Sequence, residues 1–377
     1  MLEQKALEYI EGHEKEYYEL LLTLAQIPAP SNHEEKRAEF LKKLLEGWGL
    51  QPEIDKALNV VAPYGVTEDK PLVVFMAHTD VVFPDTETLP LHIDGDKLCC
   101  PGIGDDTANV VAMLLALHYL VEQGITSERY GYLFVMNAGE EGLGNLKGSK
   151  QIVSDYGRRI AAFYSFDGYL GGITDCAVGS KRMKVTVTTE GGHSYAAFGN
   201  KNAIQKAACM IQDIYQIEVP AEGKTTYNVG TISGGTSVNS IAQKAEFLCE
   251  YRSDRLDGMQ YMDDQYQEIF SRHRQDGVGI FVETVGSRPC ENLSSEGLRK
   301  REEMLQLSEE IVEQYTGKKP KRGSGSTDCN SALAAGIPAV CFGTVFGAGP
   351  HTREEYVLKS SLMMGYKAAL EIVLRYL

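Results

Sequence analysis

His78-Thr79-Asp80 follows the apolar run 71–76, and Glu140-Glu141 follows the run 132–136. Asp167 follows the run 160–166, and His351 closes a glycine-rich loop after 339–342. Asp105-Asp106 precedes a long apolar helical pattern. Imidazoles and carboxylates together are a donor set for zinc, cobalt or manganese. Adjacent carboxylates in an extended loop point opposite ways, so of Glu140 and Glu141 one can ligate while the other acts as a base. Each residue also has an ordinary structural alternative. His78 could be a hydrogen-bonded histidine at a strand end, with Asp80 a turn residue beside it. Asp105 and Asp106 could cap the following helix. Glu140, Glu141 and His351 could be solvated loop residues. Position argues against coincidence: in an open α/β sheet the loops at the carboxyl ends of the strands share one edge, and ligands bind there.

Periodicity shows which elements must carry these residues. Residues 3–24 and 33–47 read as amphipathic helices, joined by a proline-containing stretch with Asn32 or Ser31 as the expected cap. The runs 71–76, 132–136, 160–166 and 339–342 read as strands buried on both faces. Helices are expected at 106–122, 295–314 and 359–376. From about Lys181 the style changes to period-two alternation (KVTVTTE). A helix at 200–216 buries Ala203, Ala207, Met210 and Ile214, and strands at 227–233 and 245–252, a helix at 259–275 and a strand at 279–284 follow. That order is β-α-β-β-α-β, a self-contained two-layer module. The fold class is α/β: a mostly parallel mixed sheet sandwiched by helices (1–180 and 288–377), interrupted by an inserted α+β domain (181–287).

Composition narrows the function. The formal net charge is −15 over 377 residues, and the isoelectric point is about 5.1. This disfavours nucleic acid and anionic lipid as partners. No apolar run reaches the length of a membrane helix. The N-terminus is charged and amphipathic, without the parts of a signal peptide. Eight cysteines form no CxxC and no zinc-finger spacing with histidine, so reduced thiols and a cytoplasmic location are expected. HExxH, phosphate-loop, dinucleotide and GxSxG patterns all fail on inspection.

The segments MAHTDVV, GIGDDTANVVAMLLAL, NAGEEGLGN, SFDGY, GSTDCNSALAAGIPAV and GPHTREEYV occur in this order. Together they resemble the co-catalytic metallopeptidases that include peptidase T, glutamate carboxypeptidase and aminoacylase, and SFDGY is most similar to the peptidase T branch. The resemblance implies two divalent metal ions, usually zinc, with cobalt or manganese as alternatives. Asp105 would bridge them, His78 and Asp167 would complete one site, and Glu141 and His351 the other. Glu140 would be the general base and Asp80 would orient His78. The peptide bond after the bridging aspartate is often cis in the family, which here would be Asp105–Asp106. The inserted domain would be a lid or a homodimer interface. His193 would help stabilise the tetrahedral intermediate, sometimes across a dimer, and Asn239 and Arg252 would hold the substrate. Ser326, Thr327 and Asp328 would line the pocket. The chain departs from the family at Asp106-Thr107-Ala108, where Asp-Lys-Gly or Met-Lys-Gly is common, and at Ser240-Ile241-Ala242-Gln243, where a proline is often found. Both departures bear on substrate choice. The implied activity is hydrolysis of short peptides, as by a tripeptide aminopeptidase. An N-acyl-amino-acid amidohydrolase or a carboxypeptidase is the alternative, and a non-catalytic scaffold a remote third.

Overall fold

The apolar runs become the middle of an eight-stranded sheet. Leu72–His78 and Gly131–Asn137 are buried at every position. The computed structural model describes residues 1–377, the side chain of Leu143 excepted. In the central strand Val73, Phe75 and Ala77 face one core while Leu72, Val74 and Met76 face the other. Two apolar faces on one strand require a covering layer on each side of the sheet, and this is why no alternation shows in the sequence. The sheet runs in the order 53–54, 60–64, 131–137, 72–78, 160–166, 339–342, 172–177, 321–325. Leu72–His78 is parallel to both of its neighbours, and Ala339–Phe342 is parallel to Ile160–Phe166. The carboxyl ends of these strands therefore share one edge.

The structure adds detail that periodicity could not. The helix expected at 3–24 is two helices, Gln4–Gly12 and Glu14–Ala25, broken at His13. The expected cap is absent: Glu34 precedes the helix Glu35–Gly47 without a side-chain capping bond, and Ser31 instead donates to Asp80. The helix expected from 106 starts at Ala108, behind a wide turn, Ile103–Thr107, in which Asp105 is not helical. Val60–Tyr64, Gly172–Ala177 and Lys321–Gly325 are further strands of the large sheet. The last of these is KRGSG, whose glycines and charges carry no strand signal.

The chain separates into two compact units: Met1–Ala177 with Asn292–Leu377, and Val178–Glu291. The second unit has its own core of Val185, Val187, Phe247, Met210 and Tyr266. Its antiparallel sheet, in the order 225–234, 244–253, 179–189, 278–288, packs on the helices Ala203–Ile214 and Leu256–His273. Among the described residues, no helix is long and apolar enough to cross a membrane.

One close approach in the first unit makes a sharp stability prediction. Gly365, in the helix Leu362–Leu374, faces the backbone of Thr344, and a β-carbon there would stand 1.5 Å from the Thr344 carbonyl oxygen. Thr344 cannot yield easily, because its amide and hydroxyl both donate to Asn109 Oδ1 at 2.6 Å. Gly365→Ala is expected to cost about 3 kcal/mol, seen as a lower urea midpoint for unfolding. An unchanged midpoint would show that the helix can shift freely.

Candidate metal centre

At the shared edge, the turn between Gly102 and Ala108 brings Asp105 between two imidazoles. Asp105 Oδ1 is 3.0 Å from His78 Nε2, and Oδ2 is 3.2 Å from His351 Nε2. His351 Nε2 also lies 2.9 Å from Glu141 Oε1. The peptide bond Asp105–Asp106 is cis. Two sets of ligand atoms lie within 4.8 Å of one another: His78, Asp105 and Glu141, and His78, Asp106 and Asp167.

Asp106 is the surprise in that pair of groupings. Both of its oxygens are already engaged, Oδ2 by the His78 backbone N–H at 2.8 Å and Oδ1 by Asn109 Nδ2 at 2.5 Å. Asp105 instead turns one oxygen toward each histidine, the disposition a bridging carboxylate needs.

Asp80 also departs from expectation. The nearest partner of His78 Nδ1 is the Asp80 backbone carbonyl at 3.0 Å, with the carboxylate farther off at 3.5 Å. The carboxylate is held by the Glu140 and Glu141 amides, each at 3.0 Å, and by the Ser31 hydroxyl at 2.7 Å. Asp80 thus orients the glutamate pair as much as the histidine. Glu140 and Glu141 are both buried.

The electrostatics of the cluster favour cations. Burial disfavours a charged His78, yet Asp106, Asp105 and Asp80 together hold its pKa well above the usual imidazole value. Asp105 and Glu141 push His351 up to about 10. Burial raises Asp105, but hydrogen bonds from His351 and His78 outweigh it and hold the carboxyl below its usual range. Asp167 is pushed up to about 7 by desolvation and by Asp105, Asp328 and Glu141. Carboxylates outnumber the cationic side chains in this small volume, which is the condition a divalent cation relieves. The donor set and its crowding both fit two such ions.

Sequence reasoning missed the residues that brace the centre. Glu355 is fully buried and accepts the amides of Gly102, Gly104 and Asp105, at 2.6, 2.9 and 2.8 Å, and the Tyr169 hydroxyl at 3.1 Å. Arg37 is fully buried and donates to the carbonyls of Ile27 and Thr79 and to the Thr107 hydroxyl. It lies in the stretch 33–47 that reads as an amphipathic helix, with nothing in the sequence to single it out. Asp328, expected to line the pocket, is fully buried and accepts Asn137 Nδ2 at 2.6 Å, so it also braces a strand end.

His193, Asn239 and Arg252 all belong to the second unit. His193 and Asn239 are neighbours: His193 pairs with Ser240, and the Ser194 amide donates to the Asn239 carbonyl. His193 Nδ1 accepts the Tyr195 and Ala196 amides, which leaves the ring proton on Nε2. Arg252 sits toward the other end of the strand Lys244–Ser253 and pairs with Glu250. The eight residue steps from Lys244 to Arg252 span roughly 25 Å. A tripeptide extends about 10 Å. One chain's Asn239 and Arg252 therefore do not hold the same short peptide, contrary to the joint role expected for them.

Comparison with known proteins agrees with this architecture. Residues 74–375 match Peptidase family M20/M25/M40, and the chain belongs to that family. A carboxypeptidase G2 from Pseudomonas sp. is 23% identical over 296 residues, covering 75% of this chain and 69% of that one. A tripeptidase structure from Staphylococcus aureus superposes with a TM-score of 0.78 at 22% identity, covering 96% of this chain and 97% of that one. The aminopeptidase PepT from Bacillus cereus gives 0.73 at 20% identity, covering 95% and 97%.

Proposed function

We propose that the chain is a di-metal exopeptidase that removes the N-terminal residue of short peptides, as a tripeptide aminopeptidase does. The observation that carries this is Asp105, set between His78 and His351 with the Glu140-Glu141 pair beside it. His78, Asp105 and Asp167 would hold one cation, and Asp105, Glu141 and His351 the other, with zinc the metal that suits this donor set. Bound there, the cations would polarise the scissile carbonyl and acidify a water. Glu140 would act as the general base, accepting a proton from the attacking water and passing it to the leaving amine. Asp80, through the two amides it accepts, keeps Glu140 and Glu141 pointing apart. Arg252, whose fork is held by Glu250, would have to exchange that partner to bind a substrate carboxylate. His193 and Asn239, at the separate two-stranded pairing of 192–193 with 240–241, would serve the substrate of a second copy in a homodimer. The free thiols of all eight cysteines suit a reducing, cytoplasmic setting.

The likeness to carboxypeptidase G2 favours a second reading, a carboxypeptidase or N-acyl-amino-acid amidohydrolase using the same centre. Free and N-acetylated di- and tripeptides separate the two. The aminopeptidase reading expects turnover of free tripeptides and at least about a 100-fold loss on acetylation, since an unpaired buried polar group is costly. Cleavage of the acetylated compounds instead would establish the second reading. No hydrolysis of either set by the metal-loaded protein would sink both.

A further inference from the structure

The Asp80 carboxylate holds the Glu140 and Glu141 amides, and a second group of residues closes on the same segment. Gly139, the residue before Glu140, has a φ of 69°. A β-carbon there would stand 2.5 Å from Lys147 Cγ and 2.6 Å from its Cε, so the lysine stem lies flat against this backbone. Lys147 opens the helix Lys147–Tyr156. Gly148, next to it, donates its amide to the Ala138 carbonyl at 3.0 Å. The chain thus leaves the strand end, carries the two glutamates, and returns so that Lys147 covers the backbone they start from.

The Lys147 ammonium is anchored by Glu34. Its Nζ donates to Glu34 Oε2 at 2.9 Å, and Glu34 Oε1 accepts the Asn32 amide at 2.8 Å. Glu34 is fully buried. Asn32 has a left-handed φ of 73°, a conformation asparagine adopts more readily than most residues. The turn it makes presents Ser31, whose hydroxyl donates to Asp80 Oδ2 at 2.7 Å and lies 3.4 Å from the Glu141 carbonyl. The contacts close a circuit that runs from the Glu140 amide through Asp80, Ser31, Asn32, Glu34 and Lys147 back to Gly139. Burial pushes the Glu34 carboxyl up, and Lys147 offsets this only in part. A buried ion pair of this kind gains little stability over apolar side chains of the same volume. What this one fixes is position, because it joins the two ends of the circuit around the base.

We propose that Lys147, anchored by Glu34, is a positioning residue for Glu140: it fixes the backbone from which the general base reaches the attacking water. The proposal rests on the reading of Glu140 as that base. Lys147 acts through the Gly139 backbone and moves no proton itself. A general base must stand within hydrogen-bond reach of the proton it takes, and a misplacement of about 1 Å can cost about 100-fold in rate. Freed from Glu34, the Lys147 stem no longer holds Gly139 in place, and Asp80 is left to fix the pair of glutamates alone.

The test is a mutant cycle in the whole, metal-loaded protein, with metal content measured beside kinetics. Lys147→Met keeps the stem and removes the ammonium. It is expected to lower kcat by about 10- to 100-fold, with KM within about twofold of wild type and metal content unchanged. Lys147→Met/Glu34→Gln leaves no buried charge unpaired, which guards against poor folding, and the same loss is expected of it. In a Glu140→Gln background, Lys147→Met should lower the residual turnover no further, because the base it positions is already gone. A purely structural role would lower turnover alike in both backgrounds. Wild-type kcat in the two Lys147 variants overturns the proposal, as does an equal loss with and without Glu140, or release of metal. If Glu140→Gln is itself fully active, the base assignment fails and this proposal with it. If Glu140→Gln is inactive while Lys147→Met turns over normally, only this proposal fails.

Discussion

Glu140→Gln is expected to lower kcat by about 10²- to 10⁴-fold, the usual share of a general base, with metal content unchanged. The substitution keeps shape and volume, and the Glu140 backbone amide still reaches Asp80. What it removes is basicity. Glu141→Gln should behave differently, although it is the adjacent residue with the same chemistry. Glu141 is the partner of His351 at 2.9 Å, so its loss should release metal first and activity as a consequence. Steady-state kinetics beside metal analysis on the two variants separates the roles. Release of metal by Glu140→Gln, with metal retained but turnover lost in Glu141→Gln, would mean that the assignments are exchanged. Unchanged turnover in Glu140→Gln would remove the proposed mechanism.

The reason two adjacent glutamates can differ so much lies in what was and was not legible beforehand. The strands that deliver His78, Glu140 and Asp167 announce themselves, because burial on both faces needs unbroken apolar runs. The edge they share follows from their parallel pairing. The cluster of ligating side chains was therefore visible in outline. Its bracing was not. Asp80 is read as a partner of His78 because it is two residues away, yet its carboxylate is spent mainly on amides sixty residues on. Arg37 lies in a stretch that reads as an amphipathic helix, and only the packing shows it fully buried beneath Thr79 and Thr107. Lys321–Gly325 joins the sheet edge with no propensity of its own, held by pairing with Gly172–Ala177. Such contacts link distant segments, and neither periodicity nor a local motif encodes them. The separation of Asn239 from Arg252 is of the same kind: both fall in one matching stretch of sequence, while the strand between them sets them far apart.

Glu355 is where that invisible bracing should matter most. Its carboxylate gathers three amides of the Asp105 turn, those of Gly102, Gly104 and Asp105. Burial and the nearby Asp105 charge push it up to about 7, against the amides that favour its anion. Glu355→Gln keeps the volume but exchanges one acceptor oxygen for an NH₂ group. If the amide oxygen serves Gly104, Asp105 and Tyr169, the NH₂ must face the Gly102 N–H, donor against donor. The turn then shifts, and with it the carboxylate that stands between His78 and His351. Outer contacts of this kind typically change metal affinity or activity by about 10- to 100-fold, and Glu355→Gln is expected to fall in that range. Glu355→Ala leaves three amide donors without their acceptor, at about 1–3 kcal/mol for each one that stays buried, and should also lower the unfolding midpoint. Metal titration is the deciding measurement, because a merely structural role would move the unfolding midpoint and leave affinity in the folded protein alone. Wild-type metal affinity in Glu355→Gln would show that the Asp105 turn holds its shape without this clamp, with Tyr169, Asn109 and Thr107 sufficient to fix it.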